Sequence, residues 1–141
     1  MTDVKIYITT SYFKETSHGE WRILYVYSDR SVKVSGSAKS DSESQIPLIA
    51  AIEALNEVSK FHSVFVYTDS GYLSCGMNKK VVGWSLRGWR RSTNTVHSNC
   101  FVENRELWEE LFLLSKNYKI KWKHSGSVKK IIEVADNFCE K

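Results

Sequence analysis

An apolar run that ends in an aspartate constrains the fold more than any other segment of this chain. The run Val64–Thr68 is short and rich in β-branched and aromatic residues, and Asp69 follows it directly. Such a run is typical of a buried, parallel strand in a sheet that helices cover. We therefore predict an α/β fold in which Asp69 lies at a strand-to-loop edge, where its carboxylate is available to a metal ion.

Three alternating segments precede this run. Val4–Phe13, Trp21–Tyr27 and Ser31–Ser37 alternate apolar and polar residues and include many aromatic and β-branched side chains, and short polar turns separate them. Alternation with a period of two is the signal of a strand that has one buried face. The pattern therefore predicts three strands joined as an antiparallel meander.

A helix is predicted between the meander and the apolar run. Apolar residues recur at helical spacing from Leu48 to Val58, and Ser42 or Ser44 is the candidate helix cap. Pro47 is the only proline of the chain, and proline is tolerated only in the first turn of a helix. The regular helix is therefore expected to begin near Ser44.

The remaining segments complete a mixed α/β pattern. Gly71–Asn78 and Asn104–Lys116 are predicted helices, Tyr118–Trp122 a fifth strand and Val128–Phe138 a final amphipathic helix. Strands and helices in this order are typical of one sheet with helices packed on it. No repeat, linker or low-complexity tract divides the sequence, so we expect a single domain over residues 1–141.

Composition restricts the compartment and the partners. No apolar run approaches the roughly 20 residues needed to span a bilayer, so no membrane partner is expected, and Met1–Lys5 has no signal-peptide pattern. Cys75, Cys100 and Cys139 are odd in number and widely spaced, which favours free thiols in a reducing, cytoplasmic location. The net charge of +4 slightly favours an anionic partner.

Six blocks, in order along nearly the whole chain, resemble type 1 ribonuclease H (RNase HI): Ile49–Leu55, Tyr67–Tyr72, Gly83–Arg91, Val102–Trp108, Ile120–Trp122 and Glu133–Asp136. The resemblance implies an RNase H-like fold, in which three antiparallel strands and two parallel additions form a five-stranded mixed sheet with helices on both faces. Members of this family cut the RNA strand of RNA–DNA hybrids with two divalent metal ions held by four carboxylates.

The resemblance places only two carboxylates at those four positions. The family's third and fourth carboxylates fall on Asp69 and Asp136, whereas the first and second fall on Thr9 and Pro47. Two Mg²⁺ ions need many oxygen ligands to activate water and stabilise the leaving oxygen. We therefore expect at most weak binding of one Mg²⁺ or Mn²⁺ by Asp69 and Asp136, with waters completing the coordination.

Two neighbouring residues are candidate substitutes. Glu43 precedes Pro47 by one helical turn, about 6 Å if the helix extends that far, so it is an alternative for the missing glutamate. The family's histidine in the loop before the last helix falls on His124 or, when the strand Ile120–Trp122 is aligned first, on Val128. We prefer Val128 because strands keep their register better than loops, and a catalytic histidine is then lost.

A basic segment resembles the family protrusion that straddles the DNA strand of a hybrid. Its cations can neutralise phosphates, and its tryptophans can stack or pack the protrusion on the domain. Glu43 and Ser44, by contrast, replace the paired polar residues, usually asparagines, that the family carries ahead of its catalytic glutamate. The candidate nucleic-acid-binding residues are Lys79, Lys80, Trp84, Arg87, Trp89, Arg90 and Arg91.

Three functional hypotheses follow. The leading one is an RNase HI-like protein that binds an RNA–DNA hybrid or a similar duplex and whose catalysis is lost or strongly impaired. The alternative is an active hybrid endoribonuclease with a remodelled metal site built from Asp69, Asp136 and Glu43. The second alternative is a protein-interaction module that retains the fold and recognises a protein partner.

Overall fold

The computed structural model describes residues 3–58, 63–90 and 101–139, with side chains described as far as Ala135. Five strands and five helices lie in the described ranges. A 3₁₀ turn, Lys14–Thr16, links the first two strands, and a π-helical turn, Gly76–Lys80, links the second and third helices. The elements are β1 (Asp3–Phe13), β2 (His18–Val26), β3 (Ser31–Lys39), α1 (Gln45–Asn56), β4 (Ser63–Thr68), α2 (Gly71–Cys75), α3 (Val81–Leu86), α4 (Arg105–Ser115), β5 (Lys119–His124) and α5 (Val128–Cys139).

The sheet has the order β3-β2-β1-β4-β5. Strands β1, β2 and β3 are antiparallel, whereas β4 is parallel to β1 and β5 is parallel to β4. Short connections can join only antiparallel neighbours, and parallel neighbours need a longer crossover. The predicted five-stranded mixed sheet, with an antiparallel meander followed by parallel additions, is therefore confirmed.

Helices cover both faces of the sheet, as predicted. On one face α1 packs against β1, β2 and α4, and this core includes the fully buried side chains of Ile6, Leu48 and Trp108. On the other face α5 packs against β1 and β2 through a smaller cluster of Leu24, Val128 and Ile132. No helix in the described ranges is long and apolar enough to cross a membrane.

Helix α1 begins close to the predicted position. Pro47 is its third residue and lies in the first turn, where its missing N–H removes no helical hydrogen bond. Ser44 directly precedes the helix, but its side chain does not cap it. The Ser44 hydroxyl instead accepts a hydrogen bond from the Asn104 side chain at 2.9 Å, so a tertiary contact has replaced the predicted local cap.

Several element boundaries differ from the sequence prediction. Strands β2 and β3 are longer than predicted because their pairing continues to His18 opposite Lys39, beyond the apolar alternation. The predicted helix Gly71–Asn78 is divided into α2 and the π-helical turn. Within that turn, a Cβ on Gly76 would lie 2.1 Å from the Trp108 ring, so the chain here packs against a buried aromatic side chain.

Candidate metal site and nucleic-acid interface

Thr9 and Asp69 meet where β1 and β4 lie side by side. The parallel pairing ends at Ile8 opposite Thr68, so the next residues on the two strands are neighbours on the sheet face that α5 covers. The Thr9 hydroxyl donates a hydrogen bond of 2.6 Å to Oδ2 of Asp69. Thr9 is buried and Asp69 is partly buried, so the carboxylate oxygen is held by a neutral donor.

The turn after β4 fixes the position of Asp69. The Ser70 amide donates to the Thr68 hydroxyl at 3.0 Å, and the Ser70 hydroxyl caps α2 by accepting from the Leu73 amide at 3.1 Å. On the other side, the Ser125 amide after β5 donates to the Thr68 carbonyl at 2.9 Å. Backbone and side-chain bonds therefore hold the carboxylate at the carboxyl end of the sheet.

A polar cleft of about 550 Å³ opens beside Asp69. Its walls come from the end of β1, the turn before α1 and the start of α2. Pro47 lines this cleft and brings no oxygen ligand from its side chain, whereas the exposed Glu43 lines it with a carboxylate. The structure therefore brings together Asp69, Pro47 and Glu43, three positions singled out in the sequence.

The described side chains do not fit a two-metal site. Mg²⁺ prefers near-octahedral oxygen coordination, usually with carboxylates, but Asp69 already accepts a hydrogen bond from Thr9. Among the residues whose side chains are described, no group of three His, Cys, Asp or Glu could hold a metal. The backbone of Asp136 lies in α5, but its side chain lies outside the described ones.

Arg22 brings positive charge to the same face of the sheet. It is the register partner of Thr9 across the β1–β2 pairing, and its guanidinium lies 3.9 Å from the Glu133 carboxylate on α5. The register therefore places Arg22 beside Thr9, and Glu133 pairs with its charge. Arg22 was not predicted from the sequence, because its position follows only from the strand register.

The two candidate histidine positions lie on opposite faces of the sheet. Val128 is fully buried at the start of α5, against Leu24 and Ile132, as a core residue. His124 is the exposed last residue of β5, paired with Thr68. Because side chains alternate along a strand, His124 shares the face of the preceding Trp122, whereas Asp69 lies on the opposite face.

A hydrogen-bonded polar cluster, which the sequence analysis missed, lies at the rim of the cleft. The Asn104 amide nitrogen donates to the Ser44 hydroxyl at 2.9 Å and to the Tyr72 hydroxyl at 3.1 Å. The Trp108 indole also donates to Tyr72, at 3.2 Å, and Gln45 donates to Asn104 at 3.2 Å. The cluster ties the starts of α1, α2 and α4 together. Its only sequence signal was an asparagine directly before a helical pattern.

The basic segment forms a surface beside this rim. Lys79 and Lys80 are exposed in the π-helical turn. Arg87 donates to the Arg90 carbonyl at 3.4 Å. Arg90 lies 5.0 Å from the centre of the Phe101 ring, and Arg105, which the sequence analysis missed, lies 4.1 Å from the same ring.

Arg91, the last candidate of the basic segment, lies outside the described residues. The two tryptophans of that segment pack it onto α4. The Trp84 ring centre is 5.4 Å from that of Trp108, and the Trp89 ring meets Phe112 edge-on at 5.8 Å. Both contacts are of the tilted or edge-on kind that aromatic rings favour. Both rings therefore have a structural role, and their contact with nucleic acid stays a prediction.

The mixed sheet, the two helical layers and the carboxylate at the strand end define an RNase H-like domain. A family model described as RNase H matches residues 1–138. A ribonuclease H from Geotalea uraniireducens (strain Rf4) is 38% identical over 104 residues, which cover 74% of this chain and 67% of that protein. The chain therefore belongs to the RNase H family.

Solved structures agree with the fold. LC9-RNase H1, described as a type 1 RNase H with the type 2 active-site motif, has a TM-score of 0.72 at 23% identity, covering 89% of this chain and 63% of that one. LC11-RNase H1, solved in complex with an RNA/DNA hybrid, has a TM-score of 0.61 at 11% identity, covering 87% of this chain and 85% of that one. The predicted RNase H-like fold is confirmed.

Proposed function

We propose that this protein binds RNA–DNA hybrids, or a similar A-form duplex, and that its ability to cleave them is lost or strongly impaired. Membership of the RNase H family supports the ligand class, as does a structural neighbour that was solved with a hybrid. The proposal separates binding from catalysis because the two depend on different residues of this chain.

The binding half of the proposal rests on the basic segment and the polar rim. Lys79 and Lys80 are exposed cations that can pair with phosphates and release counterions. At the rim, the hydroxyl of Tyr72 and the amide of Asn104 lie within 3.1 Å of each other, next to the cleft. These groups already bond to one another, so contact with ribose 2′-hydroxyls, which distinguish RNA from DNA, requires them to exchange partners.

The catalytic half rests on one observation, the hydrogen bond from Thr9 to Asp69. Thr9 stands where the resemblance expects the first carboxylate, and its neutral hydroxyl donates a hydrogen bond to the carboxylate of Asp69. A metal ion bound to Asp69 gains only one formal negative charge, because Thr9 adds a neutral hydroxyl and no carboxylate. Pro47 supplies no side-chain oxygen at the next expected position, so two-metal activation of water lacks its ligands.

A remodelled active site is the second candidate function. Glu43 and Asp69 line the same cleft. Two hydrogen bonds, from the Gln45 amide to the Ser42 carbonyl and from the Ile46 amide to the Glu43 carbonyl, continue the helical turn ahead of α1. Glu43 therefore lies about one turn before Pro47, as the alternative requires. On this reading, Asp69, Glu43 and Asp136 hold one Mg²⁺ or Mn²⁺.

Hybrid binding and hybrid cleavage, measured on the same protein, test the proposal. A labelled RNA–DNA hybrid is titrated at low salt beside DNA and RNA duplexes of the same sequence, and the same hybrid is then incubated with Mg²⁺ or Mn²⁺. We expect binding that favours the hybrid, with no cleavage above that of an Asp69→Asn control.

Two results would contradict different halves of the proposal. Cleavage that Asp69→Asn and Glu43→Gln both abolish would establish the remodelled active site instead. Absence of hybrid binding at low salt would refute the binding half and favour the protein-interaction module.

A further inference from the structure

Strand β5 carries a row of lysines on the face of the sheet opposite the main core. Lys119, Lys121 and Lys123 alternate with Ile120 and Trp122, and all three lysines are exposed. Alternate residues of a strand lie on one face about 6.6 Å apart, so the three lysine side chains project from a line about 13 Å long. This row lies outside the basic segment described above.

Aromatic side chains of the neighbouring strands lie on the same face of the sheet as the lysine row. Lys121 pairs with Phe65 on β4, and Lys123 pairs with Tyr67, which stacks on Tyr7 of β1 with ring centres 4.9 Å apart. Phe65 is partly buried, so part of its ring faces solvent. The lysine row is therefore bordered by aromatic rings one strand away, at the usual spacing of about 4.8 Å.

Little on the described part of the molecule covers or neutralises this face. Helix α5 packs mainly on β1 and β2 and reaches β4 at Tyr67, whereas the three lysines of β5 are exposed. Within the described residues, no carboxylate lies within ion-pair distance of the three lysines. Lys5 adds a fourth cation opposite Phe65. Among the described residues of β1, β4, β5 and their ends, Asp3 and Asp69 are the carboxylates on this face.

We propose that this face, formed by Lys119, Lys121, Lys123 and Phe65, binds a single-stranded nucleic-acid segment that continues from a duplex held at the cleft. The lysines pair with successive phosphates, whose regular spacing along a strand is comparable to the spacing of the lysines. Phe65 supplies a surface on which a base can stack, the combination that sequence-independent single-strand binding uses.

The position of the face favours nucleic acid over other polyanions. Strand β5 ends at His124, and the next amide, that of Ser125, hydrogen-bonds to Thr68 directly before Asp69. A strand that follows the lysine row therefore arrives at the cleft without leaving the protein surface. An acidic peptide has no bases to stack on the partly exposed aromatic ring.

This inference rests on the proposed function for its duplex, and the experiment separates the two. The affinity of the full chain is measured for a blunt hybrid, for the same hybrid with an overhang of about ten nucleotides at either end, and for the isolated overhang strand. The variants are Lys119→Gln/Lys121→Gln/Lys123→Gln and, as the charge-preserving control, the corresponding triple arginine variant. Phe65→Leu tests stacking while keeping an apolar side chain.

We expect an overhang to tighten binding several-fold at one or both ends. The glutamine variant loses this gain and keeps its affinity for the blunt hybrid, whereas the arginine variant retains both. The slope of log affinity against log salt for the tailed hybrid falls by about two in the glutamine variant, since each of three single-strand phosphate contacts contributes about 0.7. Phe65→Leu reduces the gain from the overhang without changing that slope.

The remaining outcomes are distinct. This inference is overturned if the overhang does not increase the affinity, or if the increase persists in the glutamine variant. Either result leaves the proposed function intact. If the blunt hybrid does not bind, the proposed function fails. In that case, lysine-dependent binding of the isolated strand would still support single-strand binding by the β5 face. If the isolated strand does not bind either, this inference is overturned too. A glutamine variant that loses binding to anionic phospholipid vesicles but not to the strand assigns the face to a different ligand.

Discussion

At the scale of single residues, the Thr9 hydroxyl donates to the Asp69 carboxylate that lines the cleft. Thr9 is buried on β1 and directs its hydroxyl at Asp69, sixty positions later in the chain. A hydrogen bond to an ionised group typically contributes about 1.5–3 kcal/mol, less when the carboxylate is partly solvated. The hydrogen bond therefore offsets the free-energy cost of partly burying the Asp69 carboxylate.

Replacement of Thr9 by valine tests this bond. Valine keeps the shape and β-branching but removes the donor, so we expect the free energy of unfolding to fall by about 1 kcal/mol. Urea unfolding at neutral pH measures the change. Thr9→Ser is the matched control because it retains the hydroxyl. A loss in Thr9→Ser with none in Thr9→Val would mean that the packing of the methyl group, and not the hydrogen bond, stabilises the site.

Replacement of Thr9 by aspartate tests the metal-binding capacity of the cleft. Two adjacent carboxylates repel each other without a cation, so Thr9→Asp should lower the melting temperature in the presence of a chelator. Added Mn²⁺ should restore it, because an ion that binds only the folded state stabilises that state. Thr9→Asn, with the same size and no charge, should not respond. A similar Mn²⁺ response of the unmodified protein would contradict our account of the site.

At the scale of elements, the helical segment from α2 to α3 is positioned by aromatic packing on α4. Trp108 is fully buried; its ring faces Gly76, its indole donates to Tyr72 at 3.2 Å, and Trp84 packs against it. The basic turn with Lys79 and Lys80 lies between these contacts along the chain. The exposed cations therefore depend on a buried aromatic side chain for their position.

Gly76→Ala should disturb this packing strongly. The new Cβ would lie 2.1 Å from the Trp108 ring, and relief of such overpacking typically costs about 1–3 kcal/mol. Thermal unfolding of the variant measures the loss. Gly71→Ala is the matched control, since nothing lies within 4 Å of a Cβ there, and its stability should be unchanged or slightly higher. Equal stability of the two variants would contradict the close packing at Gly76.

The contact between β2 and the end of α1 predicts a loss of stability at alkaline pH. Tyr25 is buried and donates to the Ala54 carbonyl at 3.0 Å. Burial, followed by the nearby charge of Glu57, raises the pKa of Tyr25 well above its ordinary value of 10.0. The unfolded chain therefore releases this proton first, so the contribution of Tyr25 is complete below pH 10 and declines as pH rises further.

Tyr25→Phe isolates this effect. At neutral pH the variant should lose about 1 kcal/mol, because the hydrogen bond to Ala54 is removed. Above the ordinary tyrosine pKa, the difference between the two proteins should shrink, since only the parent chain still has the tyrosine proton to lose. Urea unfolding across neutral and alkaline pH measures the difference. A constant difference at all pH values would contradict the raised pKa.

At the scale of the whole molecule, positive charge lies on two separate surfaces around one cleft. Lys79 and Lys80 belong to the helical segment packed on α4, whereas Lys119, Lys121 and Lys123 lie on an edge strand. The net charge of +4 is small, so this distribution matters more than the total. We assign the first surface to the duplex and the second to a single strand.

The salt dependence of binding tests this assignment. Lys79→Gln/Lys80→Gln should weaken binding of a blunt hybrid and reduce the slope of log affinity against log salt by about two, since each duplex phosphate contact contributes about 0.9. Lys119→Gln/Lys121→Gln removes the same charge from the other surface and should leave the slope for the blunt hybrid unchanged. Equal effects of the two variants would show that only the net charge matters.

Periodicity and spacing in the sequence predicted most of the architecture. The strands, α1 with Pro47 in its first turn and the α/β class follow from local patterns, which depend on a few neighbouring residues. Boundaries were less accurate where pairing continued past the apolar pattern, as at His18. Ser44, one of the two predicted caps, is the N-cap residue, but its hydroxyl bonds to Asn104, sixty positions away, and not to the helix.

The sequence by itself determined which side chains this RNase H family member carries at its carboxylate positions: Asp69 and Asp136, with Thr9 and Pro47 at the other two. Only the tertiary structure decided that Thr9 bonds to Asp69, that Arg22 lies beside them, and that the β5 lysines share a face with Phe65. These contacts join segments that are distant in sequence. Strand register creates them, and a shift of one residue would turn every side chain of a strand to the opposite face.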